Sequence, residues 1–293
     1  MSHASSTVET DLSAAAHAAP PGRRGALRAG LAAMPDTLHA EWTKLRTVSG
    51  TAWLLAGVVT ATAAVSAAAV AATKCTTGLG CPADPTKLSL TGVYLGQAVV
   101  AILAVLAVSN EYSTGMVRVT LAAMPRRLAV LAAKAAIVGA LVLVAGAVAV
   151  AASLLAGRLM LPGNGFTAAH GFAALSLAHG PTLRAACGSV LYLALIAMLS
   201  LGIATAVRDS AVAIGLSLGV LYLPPILIAL TVTNPVWLHR LQRYTPMTAG
   251  LTIQNTTGLH GLPITPWAGL GVLALWAAAA LLTGGLLLKV RDA

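Results

Sequence analysis

Five ionisable residues, Glu111, Arg118, Arg126, Arg127 and Lys134, fall within NEYSTGMVRVTLAAMPRRLAVLAAK, in a chain of which only 9% is charged. One carboxylate followed by guanidinium and ammonium groups is not an acid–base pair. It is a set suited to ion-pairing with a soluble surface or to holding phosphate headgroups. Between Gly115 and Pro125, the residues Met116, Val119 or Thr120, and Ala123 recur at helical spacing, so the stretch predicts a short amphipathic helix over Gly115 to Ala123. A merely solvated basic loop is the plainer alternative.

Chemistry of the usual enzymatic kinds lacks its residues. There is no HExxH, no nucleophile elbow, no pair of carboxylates on one face and no GxGxxG ahead of a soluble helix. None of the lysines follows a glycine, so there is no Walker A sequence, and any ATP would be bound by another chain. His170, His179, His239 and His260 share no ligand-like spacing and have no accompanying Cys or carboxylate, so no metal site is expected. Cys75 and Cys81 could close a small ring or remain two thiols, and Cys187 reads as a small buried apolar residue inside a hydrophobic run.

The elements that must position these residues are hydrophobic runs. With 58% hydrophobic residues and a mean hydropathy of +0.85, the chain is that of a polytopic membrane protein. Its net charge of +10 would suggest nucleic acid in a soluble protein, but these basic residues flank apolar runs, where they face headgroups; no nucleic-acid partner is expected. Six runs reach the roughly 20 residues that a bilayer core requires. They lie near Ala52 to Ala72, Leu88 to Ser109, Leu128 to Ala156, Ala185 to Val207, Ala211 to Thr233 and Trp267 to Leu288.

Residues 1–33, rich in Ala, Ser, Pro and Gly, read as a disordered tail. Residues 34–50 read as an interfacial amphipathic helix, with Leu38, Trp42 and Leu45 on one stripe, Trp42 as anchor, and Lys44 and Arg46 beside it. Residues 51–291 then form the transmembrane domain. Counting Lys and Arg places both termini and the Asn110 to Arg127 loop in the cytoplasm of a plasma-membrane protein. On that side Arg126, Arg127 and Lys134 are expected to anchor the loop at anionic headgroups. None of the eight acids lies mid-membrane, which disfavours an ion-coupled transporter. Inside the runs, Tyr94, Gln97, the Pro224-Pro225 pair and the Gly215/Gly219 GxxxG stand out. The prolines must kink or break their span and could form a gate, and the glycines suggest close packing.

The order of the charged stretch, an acid, a Gly-Met, a helix, a Pro followed by basic residues and a Lys inside the next run, resembles the intracellular loop of ABC-2 type permeases. These are the membrane subunits of a class of ATP-binding-cassette exporters. The matching positions are Glu111, Gly115, Pro125, Arg127 and Lys134, and Ala40 to Arg46, AEWTKLR, looks like the helix preceding the first span in the actinobacterial branch. The resemblance covers roughly residues 36 to 291. It implies an all-α protein with six transmembrane helices, an N-terminal interfacial helix and a cytoplasmic coupling helix between helices 2 and 3. It implies short helices in the segment 234–266, and separate ATPase subunits carrying ATP and Mg, with no cofactor on this chain. A second permease subunit, identical or related, would complete the unit, and Glu111, Gly115, Met116, Arg118, Pro125 and Arg127 would couple to the ATPase. Met116 stands where the family has Thr. The cargo, lined by Ala, Val, Leu and Gly, would be apolar or amphipathic. A non-transporting immunity or sensor protein using the same loop for docking, and a membrane-embedded lipid-modifying enzyme, are the other readings.

Overall fold

The computed structural model describes residues 49–75, 84–113 and 127–290. Within them the chain is helical: α1 (Ser49–Ala72), α2 (Pro85–Ser89), α3 (Val93–Ser113), α4 (Arg127–Met160), α5 (Gly180–Val207), α6 (Ser210–Thr231), α7 (Pro235–Tyr244), α8 (Pro246–Leu251) and α9 (Pro266–Val290). Five of these, α1, α4, α5, α6 and α9, are long and apolar enough to cross a membrane. A helix satisfies its own backbone, which is why such runs take this form in lipid. The expected tail 1–33, most of the expected interfacial helix with Trp42, Lys44 and Arg46, and Cys81 lie outside the described residues.

The expected run from Leu88 to Ser109 is not one helix. Asp84 caps the short α2 by accepting from Thr86 N–H (3.0 Å) and Lys87 N–H (3.2 Å), a turn follows at Leu90–Gly92, and α3 begins at Val93. The cause lies in α1. Gly92 donates its N–H to Ser66 Oγ at 2.9 Å, and its Cα presses against α1 so closely that a Cβ would overlap the Thr62 carbonyl oxygen. The apolar part of α3, Val93–Ser109, is accordingly shorter than the other five, while the helix itself continues through Asn110 and Glu111 to Ser113.

Helix α5 is the centre of the bundle. It packs against α3, α4, α6 and α9, and 61% of its most apolar stretch is buried, against 22–39% for the other four long helices. Lipid offers no hydrophobic driving force between helices, so close backbone approach must supply the packing energy. At the α5–α9 crossing Gly202 rests on the backbone of Ala280 and Leu281, and Gly284 rests on Thr205 and the Gly202 carbonyl. Tyr192, Leu193, Ile196 and Leu199 of α5, Val100 and Leu103 of α3, and Leu270 and Leu273 of α9 fill the core. The Gly215/Gly219 motif does not pack as expected: a Cβ on either would meet nothing within 4 Å. Their helix is an outer one, so spacing alone placed them on a face with no partner among the described residues.

Helix α6 runs continuously from Ser210 to Thr231 with the Pro224-Pro225 pair inside it, so the prolines do not end the span. Asp209 caps its start through Val212 N–H at 2.8 Å. The two missing N–H groups leave the Val220 and Leu221 carbonyls without their helical donors, a local weakness rather than an end. Between α6 and α9, α8 and the following turn fold back against the core, burying Pro246, Met247, Ala249, Gly250, Leu251, Ile253 and Gln254. The glycines at the contacts are the reason this fits: Gly250 lies under the Tyr192 ring and Gly188 under Ile253.

Replacing Gly92 with Ala should therefore force α1 and α3 apart, costing about 1–3 kcal/mol as an overpacked contact does. Gly215→Ala, facing open space, should be neutral. Thermal unfolding of the two variants in the same detergent checks the pair; equal melting temperatures would remove the α1–α3 contact from the list of tight ones.

Candidate functional site

The two ends of the bundle are built differently. At one end, the end of α1, the α2 entry, the α4–α5 connection and the segment after α8 are stitched together by polar contacts. Cys75 N–H donates to the Asn164 carbonyl at 2.8 Å, and Asn164 Nδ2 donates to the Val70 carbonyl at 2.8 Å. Asp84, besides capping α2, accepts from the backbone N–H groups of Thr256 and Thr257 and from Thr256 Oγ1 at 2.7 Å. One carboxylate thus holds two segments 172 residues apart in sequence. Arg184 Nη2 donates to the Asn255 carbonyl at 2.6 Å, and Gln254 Nε2 donates to Ser189 Oγ at 3.1 Å. The Arg184 Nε and Gln254 Oε1 atoms are buried without a hydrogen-bond partner among the described residues. Cys75 is buried and disulfide-bonded, whereas Cys187, expected to be buried, is a free thiol on an exposed face of α5.

In the middle of the bundle lies a polar set on four helices, α1, α3, α5 and α6. Tyr192 of α5 donates its hydroxyl to Gln97 Oε1 of α3, and both side chains are fully buried. Tyr222 of α6 donates to the Tyr94 carbonyl of α3. Gln97 Nε2, Thr62 Oγ1 of α1 and Ser217 Oγ of α6 are buried without partners among the described residues. Unpaired buried donors and acceptors are costly, more so where no water competes, so such a set is poised to bind the polar part of another molecule. Phenols and an amide can hydrogen-bond; they hold no reactive carboxylate or nucleophile. An apolar groove of about 310 Å³ opens between α5, α6 and α9, lined by Leu199, Ile203, Val207, Leu216, Val220 and Trp276.

At the opposite end the structure brings α3 and α4 together through Lys134. Its side chain is only 5% exposed, and its ammonium donates to the Ala107 carbonyl of α3 at 3.0 Å. The expected headgroup anchor therefore turns inward. The reason is geometric: Lys134 is seven positions beyond Arg127 in α4, about 10.5 Å along its axis, and α3 lies within reach. Glu111 falls within α3 and Arg127 opens α4. Gly115, Met116, Arg118, Pro125 and Arg126 lie outside the described residues, so the expected coupling helix does too. Among the described residues, no three His, Cys, Asp or Glu side chains gather as a ligand set.

Of the residues singled out in sequence, Tyr94, Gln97 and the span carrying Pro224-Pro225 meet in the polar set, and Tyr222 lies two residues before the prolines. Tyr192, Tyr222, Arg184 and Gln254, and the bridging role of Asp84, were not legible there. Tyr192 and Tyr222 each sit in a long apolar run, where only the presence of a phenol amid Leu and Ala marks them. No protein-family model matches the chain, and no curated protein matches it.

Tyr192→Phe should cost about 1–2 kcal/mol, since it leaves both ends of the buried Gln97 amide unpaired. A Gln97→Leu change on top should then cost little, because the orphaned amide is gone; denaturation of the single and double variants in one detergent checks this. Asp84→Ala should raise amide exchange at Thr256 and Thr257 and leave α5 protected, as read by hydrogen–deuterium exchange.

Proposed function

We propose that this chain is the membrane-spanning permease subunit of an ATP-binding-cassette exporter of the ABC-2 type, paired with a second permease chain and two cytoplasmic ATPase subunits. In this reading the polypeptide crosses the plasma membrane six times, with α3 as the additional span and α2 and the Leu90–Gly92 turn at its outer end. Helix α3 has 21 residues, about 31 Å of rise, and is joined to its neighbours at both ends of the bundle. The termini and the 110–127 segment are cytoplasmic, and cargo moves outward.

The observation that carries the reading is the Lys134–Ala107 hydrogen bond. The charged segment 110–127 joins α3 to α4, and this bond ties those two helices together just where the segment leaves them. A push on the segment is then delivered to both helices as a unit. Helix α3 passes that motion to Gln97 and Tyr94, and through Tyr192 and Tyr222 to α5 and α6. Transmission of force from a soluble motor to a membrane site requires this kind of stiff connection. The polar set and the apolar groove, which share α5 and α6, suit an amphipathic cargo, whose polar group would take the unpaired amide and hydroxyl positions while its apolar part stays against Leu and Val.

Glu111 and Arg118 are assigned to contacts with the ATPase, Arg126 and Arg127 to the headgroup region, and Pro224-Pro225 to the point at which α6 yields during transport. The expected experiment is affinity purification of the tagged chain from gently solubilised membranes. A Walker-A ATPase should accompany it at a near one-to-one ratio and be lost from E111K/R118E. Recovery of no ATPase, under conditions that keep other transporter complexes intact, would overturn the exporter reading and favour a sensor or immunity protein. Lys134→Met should leave ATPase binding intact but reduce transport, or substrate-stimulated ATP hydrolysis, by about tenfold, a loss of about 1.4 kcal/mol of coupling.

A further inference from the structure

Helix α7 (Pro235–Tyr244) follows the membrane-crossing α6 after Thr231 and precedes α9, which begins at Pro266. It therefore lies where hydrocarbon gives way to headgroups. None of its residues is buried. Trp237, Leu241 and Tyr244, spaced four and three apart, form an apolar stripe with Trp237 56% and Tyr244 66% exposed. Such an aromatic stripe is at home in the interface and out of place in water. The adjoining stripe is basic: Arg240 and Arg243, three apart, share a cleft of about 440 Å³ with His239, Val236 and Pro235.

The helix is held firmly while its cations are left over. Trp276 Nε1 of α9 donates to the Tyr244 carbonyl at 3.0 Å, and Thr248 Oγ1 donates to the Gln242 carbonyl at 2.7 Å. Arg243 spends its Nε–H on the Pro263 carbonyl at 3.0 Å, which fixes its guanidinium at the cleft, and the Arg240 guanidinium lies over the Trp237 ring at 5.4 Å. Neither arginine has a carboxylate partner among the described residues, and the sequence from Val232 to Pro266 contains no Asp or Glu. Two like charges three residues apart repel, so the arrangement lacks an anion that it is shaped to receive.

We infer that the Arg240–Arg243 cleft of α7 is a binding site for the phosphate of an anionic phospholipid headgroup in the adjacent leaflet. The two guanidinium groups would take the phosphodiester oxygens, a pairing for which the planar fork is suited, while Trp237 and Tyr244 rest among the upper acyl carbons. A zwitterionic headgroup carries its own cation and would be held less well. The site goes beyond the exporter reading and needs only that α7 lie at a membrane surface.

The test uses the full-length chain in a non-ionic detergent, exposed to an equimolar mixture of phosphatidylglycerol and phosphatidylcholine, with retained lipid read by native mass spectrometry. The wild type should favour phosphatidylglycerol by about fivefold per arginine. R240Q/R243Q should lose the preference and R240K/R243K should keep part of it. Arg240→Gln alone breaks no hydrogen bond and carries the test if the double variant does not fold. Equal retention of the two lipids by the wild type, or an undiminished preference in the Gln variants, would overturn the proposal. Displacement of phosphatidylglycerol by millimolar inorganic phosphate would overturn its lipid half and make this a free-phosphate site.

Discussion

At the crossing of α5 and α9, Gly202 and Gly284 let two helix backbones touch, each glycine resting on the main chain or a small side chain of the other helix. In lipid this contact cannot be driven by expulsion of water, so its energy must come from dispersion over a surface with no intervening side chain. Everything else is placed by reference to α5. Helix α9 fixes the height at which α8 can fold back, Gly250 and Gly188 let that segment lie against α5, and the buried Ile253 and Gln254 follow. A methyl group at the α5–α9 crossing would move α9, and with it the support for Asp84's partners Thr256 and Thr257.

The polar interactions divide by position along the bundle. One end is closed by a carboxylate, a guanidinium and several amides shared among four segments, the arrangement expected of a cap. The other end has the buried Lys134 ammonium on the Ala107 carbonyl. Between them, phenols and an amide cross-link α3 to α5 and α6 with several groups left unpaired. A bundle that is tight at one end, stitched at the other and incompletely satisfied in the middle has its conformational freedom where three helices meet. The prolines of α6 reinforce this, since Val220 and Leu221 lack their helical donors beside Tyr222. The helix can bend there at less cost than elsewhere.

The sequence by itself determined that the chain is helical and membrane-embedded, and where the long helices lie. Length and hydropathy suffice for this, because a segment in lipid has no other way to satisfy its backbone. Helix ends were less legible: Pro181 and Pro266 start helices that hydropathy alone began later, and Asp84 opens a separate short helix that overlaps only the start of the second run. Only the tertiary structure decided which small and polar residues matter. Gly215 and Gly219 have the spacing of a packing motif and touch nothing, whereas Gly202 and Gly284, 82 positions apart, interlock. Lys134 reads as a snorkelling cation yet is buried, because α3 brings an acceptor to it. A periodic pattern shows which face a helix could bury; which partner meets that face depends on how helices distant in sequence cross, and no local spacing encodes that.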